Sequence, residues 1–184
     1  KATQDSSYFE KGKSLYEWTK ATLQDTTDCL YFDNMRLDGE IGRAKFAYNS
    51  GQMMQSAALL YQLTGNGQYL KDAQAIAAAF HNYFFMEFTP GQGEPFRMLK
   101  KGDVWFTAVM LRGFIELYQV DGNKVYLDSF ARSLDYAWTH AREDNGLFNT
   151  DFTGKSCDNR KWLLTQAAMV EMYARLAVFA NQSL

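Results

Sequence analysis

The sequence predicts an all-α fold in which helical hairpins repeat around a ring. Leu60-Tyr61-Gln62 recurs 57 residues later as Leu117-Tyr118-Gln119, and each copy is followed by a Tyr-Leu pair, Tyr69-Leu70 and Tyr126-Leu127. A repeat at fixed spacing is typical of architectures in which each unit buries its apolar face only against its neighbours. The composition agrees, since 47% of the residues are apolar, 22% are charged and only two are prolines, as in ordered globular domains.

Apolar residues at the helical period of 3.6 predict six helices. Their predicted bounds are about 7–23, 48–64, 68–88, 103–120, 124–142 and 160–180. The second, fourth and sixth are apolar on most sides, which is typical of buried helices. We therefore assign these three to an inner ring and the other three to an outer ring.

The connections between the predicted helices differ in length. Inner helices lead into outer ones through short turns, Gly65-Asn66-Gly67 and Asp121-Gly122-Asn123, whereas outer helices lead into inner ones through about 24–47, 89–102 and 143–159. Long connections in compact domains usually carry function. All three are expected at one end, beside the N-termini of the inner helices, and we call this end the rim.

Three hairpins would supply half of a closed (α/α)6 toroid and would leave apolar flanks on both sides. We therefore expect 1–184 to be one partial domain, the C-terminal half of a six-hairpin ring, with the missing N-terminal half as its partner. Residues Lys1 to Ser6 are expected to form the turn after a preceding inner helix.

The rim is rich in aromatic, acidic and amide side chains. A pyranose has an apolar face that stacks on a ring and hydroxyls that bind polar groups, so this mixture indicates carbohydrate binding. The candidate substrate-binding residues are Tyr48, Asn49, Asp103, Trp105, Asp33 and Gln166. The alternative for each aromatic residue is that it packs the loops onto the helices.

The start of each inner helix carries polar side chains. Asn49 or Ser50 is expected to cap the second helix, and Gly51 would let a ligand or a neighbouring helix approach closely. Asp103 is the expected N-cap of the fourth helix, where the macrodipole favours negative charge. The equivalent positions of the sixth helix are Asn159, Arg160, Trp162 and Gln166.

Several classes of function find no support in the sequence. The net charge is −2 with acids and bases interspersed, so nucleic acid is not an expected partner. No run approaches the roughly 20 apolar residues of a membrane span. His81 and His140 fall on outer helices without metal-binding spacing, so neither a metal nor another cofactor is expected. Cys29 and Cys157 both fall in rim connections, as either a disulfide or two free thiols.

The strings that carry a family resemblance are Phe46-x-Tyr48-Asn49-x-Gly51, Ala57-Ala58-Leu59-Leu60-Tyr61-x-Leu63-Thr64-Gly65 and Tyr69-Leu70-x-Asp72-Ala73. Together they resemble glycoside hydrolase family 76, the endo-α-1,6-mannanases with an (α/α)6 toroid. Asp103 with the segment 106–112, and Trp162 with the segment 165–168, are similar to later inner-helix motifs of that family. Thr107-Ala108 departs from the pattern, because the family more often has Lys-Gly there.

The resemblance implies retaining hydrolysis of α-1,6-linked mannan, with Tyr48, Asn49 and Asp103 lining sugar subsites. A polymeric substrate implies action outside the cell, in the periplasm or at the cell surface. The family's catalytic signature is an adjacent Asp-Asp pair in the N-terminal half, and this chain has none, its only neighbouring acids being Glu143-Asp144. The catalytic residues are therefore expected outside this chain, and the segment alone is expected to be inactive.

Two other kinds of function remain open at this stage. One is a different toroid enzyme, an unsaturated glycuronyl hydrolase or a sugar epimerase, although the absence of histidine from the rim connections counts against an epimerase. The other is a non-catalytic carbohydrate-binding or helical scaffold protein.

Overall fold

The computed structural model describes residues 5–181, which form six α-helices and two small β-hairpins. The helices are α1 Ser6–Leu23, α2 Ala47–Thr64, α3 Gly67–Phe84, α4 Val104–Asp121, α5 Val125–His140 and α6 Leu163–Asn181. All six predicted helices are present, most with ends within one or two residues of the predicted ones. Of the turn expected over 1–6, residues 1–4 lie outside the described part of the chain, and Ser6 already belongs to α1.

The helices form two layers, as the pattern of apolar residues predicts. The inner helices lie side by side, α2 against α4 and α4 against α6. The outer helices α3 and α5 pack against the inner helices beside them, and α1 contacts α2. Buried side chains fill the space between the layers, and Phe80, Phe114 and Phe130 are each at most 1% exposed.

Two glycines bring α2 and α4 together. A Cβ atom on Gly51 would lie 2.9 Å from the Cα of Met110, and one on Gly113 would lie 2.6 Å from the carbonyl oxygen of Gly51. Real Cβ atoms do not approach backbone atoms this closely, so both positions require glycine. The expectation that Gly51 permits close approach of a neighbouring helix is thereby confirmed.

The end opposite the rim is closed by short glycine turns. Gly65 follows α2 and Gly122 follows α4, each with φ of +68°, and each donates its N–H to the carbonyl four residues earlier, that of Tyr61 or Tyr118. This left-handed C-terminal geometry satisfies carbonyls that the helix leaves unpaired. The two turns predicted from the sequence are therefore confirmed.

The predicted third helix is too long at its C-terminal end. It ends at Phe84, and the next residues form strand β3, Phe85–Phe88, which pairs antiparallel with β4, Phe96–Leu99. A smaller hairpin, formed by β1, Asn34–Met35, and β2, Ile41–Gly42, occurs in the first rim connection. Helical periodicity could not detect β3, because its stabilising partner lies beyond the intervening turn.

Apolar surface remains exposed on both flanks of the described chain. On α6, Leu163 and Val170 are 83% and 69% exposed, and on α1, Leu15 is 66% exposed. This agrees with the flanks expected for three hairpins, although α6 is less buried than its apolar sequence alone predicts. None of the helices within residues 5–181 is long and apolar enough to span a membrane.

Candidate functional site

The N-terminal ends of α4 and α6 enclose a cavity at the rim. Its volume is about 420 Å³. It is lined by Asp103, Trp105, Thr150, Asp158, Arg160, Trp162, Leu164 and Thr165. The side chains of Trp105 and Trp162 are 40% and 61% exposed, respectively. Two accessible indole rings among carboxylate, guanidinium and hydroxyl groups have the chemistry that a sugar ring requires.

A stack of three aromatic rings borders this cavity. The ring of Tyr48 lies between those of Phe46 and Trp105, with centroids 5.9 and 5.8 Å away and interplanar angles of 6° and 9°. Phe106 contacts all three rings edge-on. Trp105 belongs both to this stack and to the cavity wall, so its indole connects the two.

The carboxylate of Asp33 holds the start of α2. Its Oδ1 accepts hydrogen bonds from the Tyr48 hydroxyl at 2.7 Å and from Asn49 Nδ2 at 2.9 Å, and its Oδ2 accepts one from Asn34 Nδ2 at 2.7 Å. The bond from Tyr48 and then that from Asn49 lower the pKa of Asp33, because both stabilise the ionised carboxylate. The same hydrogen bond raises the pKa of the Tyr48 phenol. Asp33 is therefore an anion at neutral pH.

The loop that carries Asp33 is fixed by buried contacts. The backbone N–H of Tyr31 donates to Ser50 Oγ at 2.8 Å, and Ser50 and Tyr31 are each 1% exposed. Farther along the loop, the ammonium group of Lys45 pairs with Asp25 at 2.6 Å and with Asp28 at 2.7 Å. The bond to Ser50 attaches the first rim connection to α2, and the ion pairs of Lys45 join the two arms of the connection to each other.

The N-terminal ends of α2 and α4 compare differently with the predicted caps. Neither Asn49 nor Ser50 caps α2, which begins at Ala47 after an N-cap residue, Phe46, without a side-chain cap bond. The side chains of Asn49 and Ser50 instead bind the loop residues Asp33 and Tyr31. Asp103 is the N-cap residue of α4 as predicted, but its side chain makes no cap bond and lines the cavity.

Gln166 lies in the first turn of α6, near the cavity, but its side chain does not line the cavity. Its Oε1 accepts from the N–H of Phe148 at 2.9 Å, and its Nε2 donates to the carbonyl of Phe148 at 3.0 Å. It borders a separate, largely apolar groove together with Trp138 and Val170. The structure thus groups Asp33, Asn49, Tyr48, Trp105 and Asp103, and places Gln166 apart as a clamp on the third rim connection.

The aromatic residues of the rim differ in their exposure. Tyr31, Phe148 and Phe152 are at most 7% exposed and pack the connections onto the helices, as the alternative interpretation predicted. Phe46, Trp105 and Trp162 are all at least 38% exposed. Phe32 and Tyr48 are half-buried, so Phe46, Trp105 and Trp162 offer the most ring surface to a ligand.

Sequence reasoning missed two polar residues of the cavity wall. Asp158 accepts hydrogen bonds from the Thr150 N–H at 2.6 Å and from the Thr150 hydroxyl at 2.8 Å, which closes the third rim connection on itself. Thr150 and Asp158 both line the cavity. The only available signal was their place in the long connection before α6.

No metal site is indicated within residues 5–181, where three or more potential ligands nowhere cluster. His81 instead bonds Ser129 Oγ at 2.9 Å, and His140 stacks on Tyr136. Burial, followed by the nearby charge of Arg97, lowers the pKa of His81. Cys29 and Cys157 are both free thiols.

Comparison with known proteins gives both sequence and structural matches. The model of glycosyl hydrolase family 76 matches residues 1–94. No curated protein matches the chain. Among solved structures, a family 76 glycoside hydrolase from a bovine Bacteroides thetaiotaomicron strain has a TM-score of 0.93 at 35% identity, covering 97% of this chain and 40% of that one.

Two further structures extend the comparison. A family 76 mannosidase from Bacteroides thetaiotaomicron has a TM-score of 0.94 at 37% identity, covering 100% of this chain and 52% of that one. An inactive variant of an α-1,6-mannanase from Salegentibacter sp., in complex with α-1,6-mannotriose, has a TM-score of 0.76 at 28% identity, with coverages of 93% and 52%. The chain thus spans about half the length of these proteins.

The sequence match and the structural matches agree with each other. The family model covers half of the chain, and solved family members superpose on nearly all of it. The chain belongs to glycoside hydrolase family 76, and its three hairpins are part of an α/α toroid.

Proposed function

We propose that the protein carrying this chain is a glycoside hydrolase that cleaves α-1,6-linked mannan in an endo fashion with retention. The single observation that carries the proposal is the rim cavity of a family 76 chain, in which Trp105 and Trp162 stand among polar groups. The neighbour from Salegentibacter sp. is an α-1,6-mannanase bound to α-1,6-mannotriose. In this proposal the substrate is the corresponding polysaccharide.

The residues of this chain would bind and orient the glycan. The exposed indoles of Trp105 and Trp162 would stack on the apolar faces of mannose rings. Asp103 would accept hydrogen bonds from sugar hydroxyls, and Arg160 would donate them. Tyr48, Asn49 and Asp33 would contribute through the stack and its hydrogen bonds, and Gln166 would contribute by holding the third connection.

The catalytic pair would come from outside this chain. A retaining glycosidase needs a nucleophile and an acid/base whose carboxyl groups lie about 5–5.5 Å apart. The neighbouring mannanase was inactivated by replacing two consecutive aspartates, and no two aspartates are consecutive in this sequence. We therefore assign the reacting carboxylates to the missing half of the ring, facing the cavity, with no metal or other cofactor needed.

The exposed flanks of α1 and α6 would pack against that missing half. By itself this segment would then be inactive, since it would hold one side of the glycan and neither reacting group. Action on an external polysaccharide would place the protein outside the cell, in the periplasm or at the cell surface.

The proposal can be tested with the complete protein and linear α-1,6-mannan. We expect reducing ends to appear, internal cleavage to shorten the polymer early, and NMR to show α-configured products first. Trp162→Ala should lower kcat/KM by about tenfold or more, the scale of a lost aromatic contact, while Val125→Ala, at an exposed position where the outer helix α5 begins at the end opposite the rim, should not change it.

Three results would contradict the proposal. Binding of mannan without cleavage would indicate a carbohydrate-binding protein. Cleavage of unsaturated glycuronides alone would indicate a different toroid enzyme. Initial β-configured products would rule out retention.

A further inference from the structure

Three consecutive residues of α2, at positions 48–50, contact two residues of the first rim connection, Tyr31 and Asp33. Ser50 accepts a hydrogen bond from the N–H of Tyr31, and Tyr48 and Asn49 both donate to the carboxylate of Asp33. The contact with Ser50 is buried, and the contacts with Asp33 are only partly buried. A buried anchor therefore lies directly beneath the charged group at the surface.

The anchor determines where the Asp33 carboxylate lies. Tyr31 is 1% exposed, so the loop cannot slide there without opening the core. At the next two residues, Phe32 donates its N–H to the carbonyl of Leu23 at 2.9 Å, and Asp33 donates its N–H to the carbonyl of Gly42 at 3.1 Å. The backbone is thus held at three successive residues, which leaves the Asp33 side chain little freedom.

The carboxylate of Asp33 in turn determines where the Tyr48 ring lies. Its Oδ1 accepts hydrogen bonds from Tyr48 and Asn49, and its Oδ2 accepts one from Asn34. A carboxylate already engaged by three donors is better suited to hold protein groups than to bind a ligand. The ring it holds lies nearly parallel to Trp105, the indole in the cavity wall.

We infer that Asp33 and Ser50 are positioning residues, which orient the cavity indole of Trp105 through Tyr48 and do not themselves contact the glycan. The inference rests on the proposed function, because Trp105 is taken as a sugar-stacking residue. It adds an order of dependence: Ser50 holds Tyr31, the loop holds Asp33, Asp33 holds Tyr48, and Tyr48 holds Trp105.

The test is a double-mutant cycle in the complete protein. Asp33→Asn and Tyr48→Phe should each raise KM for α-1,6-mannan by about tenfold, the scale of one hydrogen bond to a charged group, with kcat changed less. In the Tyr48→Phe background, Asp33→Asn should have almost no further effect, because the bond it would weaken is already absent. Independent effects of the two changes would overturn the inference, since Asp33 would then contact the substrate directly.

A spectroscopic readout separates this inference from the proposed function. The near-UV circular dichroism of the stacked Tyr48 and Trp105 rings should change in Asp33→Asn, Tyr48→Phe and Ser50→Ala, measured well below the melting temperature. Glu40→Gln is the matched control, since the exposed carboxylate of this residue of the same loop pairs with Arg36 and not with Asp33 or Tyr48, and it should leave both KM and the spectrum unchanged.

The outcomes can be read separately. If the protein failed to cleave mannan but the spectra changed as expected, the proposed function would fail and the positioning order would stand. If cleavage occurred and Asp33→Asn left the spectrum unaltered, the positioning order would be wrong.

Discussion

The two ends of the helical hairpins are held by different chemistry. At the end opposite the rim, Gly65 and Gly122 close short turns through left-handed backbone conformations and backbone hydrogen bonds. At the rim, long connections are held by side chains, such as the bonds of Asp33 to Tyr48 and of Gln166 to Phe148. We therefore expect substitutions at the rim to alter ligand binding, and substitutions at the opposite end to alter stability alone.

The largest effect is expected from Trp105→Ala at the rim. Removing this indole takes away a wall of the cavity and one face of the ring stack, so kcat/KM for α-1,6-mannan should fall by about 100-fold, or about 2.7 kcal/mol. Because the side chain is 40% exposed, the melting temperature should change little. A loss of stability as large as the loss of activity would show that Trp105 mainly supports the fold, which contradicts the assignment of the rim to ligand binding.

The second effect concerns the close contact between helices α2 and α4. Gly113→Ala would place a Cβ atom against the backbone of α2 and the Met54 side chain, and should destabilise the protein by about 2–3 kcal/mol. Chemical denaturation measures this change. The matched control is Gly12→Ala on α1, where nothing lies within 4 Å of the added Cβ, so stability should stay the same or rise slightly.

A smaller effect is expected at the end opposite the rim. Gly122→Ala forces a residue with a side chain into φ of +68° and should lower stability by about 1 kcal/mol, without changing kcat/KM. Gly122→Asn should cost less, since asparagine tolerates this conformation. Reduced activity in a folded Gly122→Ala variant would mean that the two ends are coupled.

The smallest effect is expected from the ion pair between the inner helices α4 and α6. Arg112 binds Glu171 through two hydrogen bonds of 2.7 and 2.8 Å and lowers the pKa of Glu171 to about 2. Glu171 binds fewer protons when folded than when unfolded, so its contribution is present above its ordinary pKa of 4.5 and is lost as pH falls towards 2. The loss should be about 1 kcal/mol or less, because both side chains are partly exposed.

Thermal unfolding between pH 6 and pH 3 measures this term. Glu171→Gln should flatten the acid side of the stability profile relative to the unaltered protein. An identical profile for the two proteins would show that the pair contributes nothing to stability at neutral pH.

The helices were predictable because their signals are local. The glycines after α2 and α4 mark the helix ends, and the 57-residue repeat marks the hairpins. The segment Phe85–Phe88 was assigned to a helix because its apolar spacing continues that of α3, whereas its strand conformation depends on pairing with Phe96–Leu99. Pairing with a strand on the far side of a turn cannot be detected from the apolar spacing within one short segment.

The candidate site was predictable in its residue types and less so in its contacts. The sequence indicated Asp33, Tyr48 and Trp105, but the register of the loop that brings Asp33 to Tyr48 depends on the buried bond between Ser50 and Tyr31. Asn49 was expected to cap α2, and the helix begins two residues earlier, which turns its amide towards Asp33. Such contacts follow from packing between elements distant in sequence.

The pair of glycines at the crossing of α2 and α4 has a consequence for the cavity. Gly51 and Gly113 set the distance between these helices. Tyr48 and Trp105 lie in the first turns of α2 and α4, so the same distance determines how their rings stack. The packing of α2 against α4 therefore sets where the Trp105 indole stands in the cavity wall. Enlarging either glycine would shift this indole while leaving the side chains that line the cavity chemically unchanged.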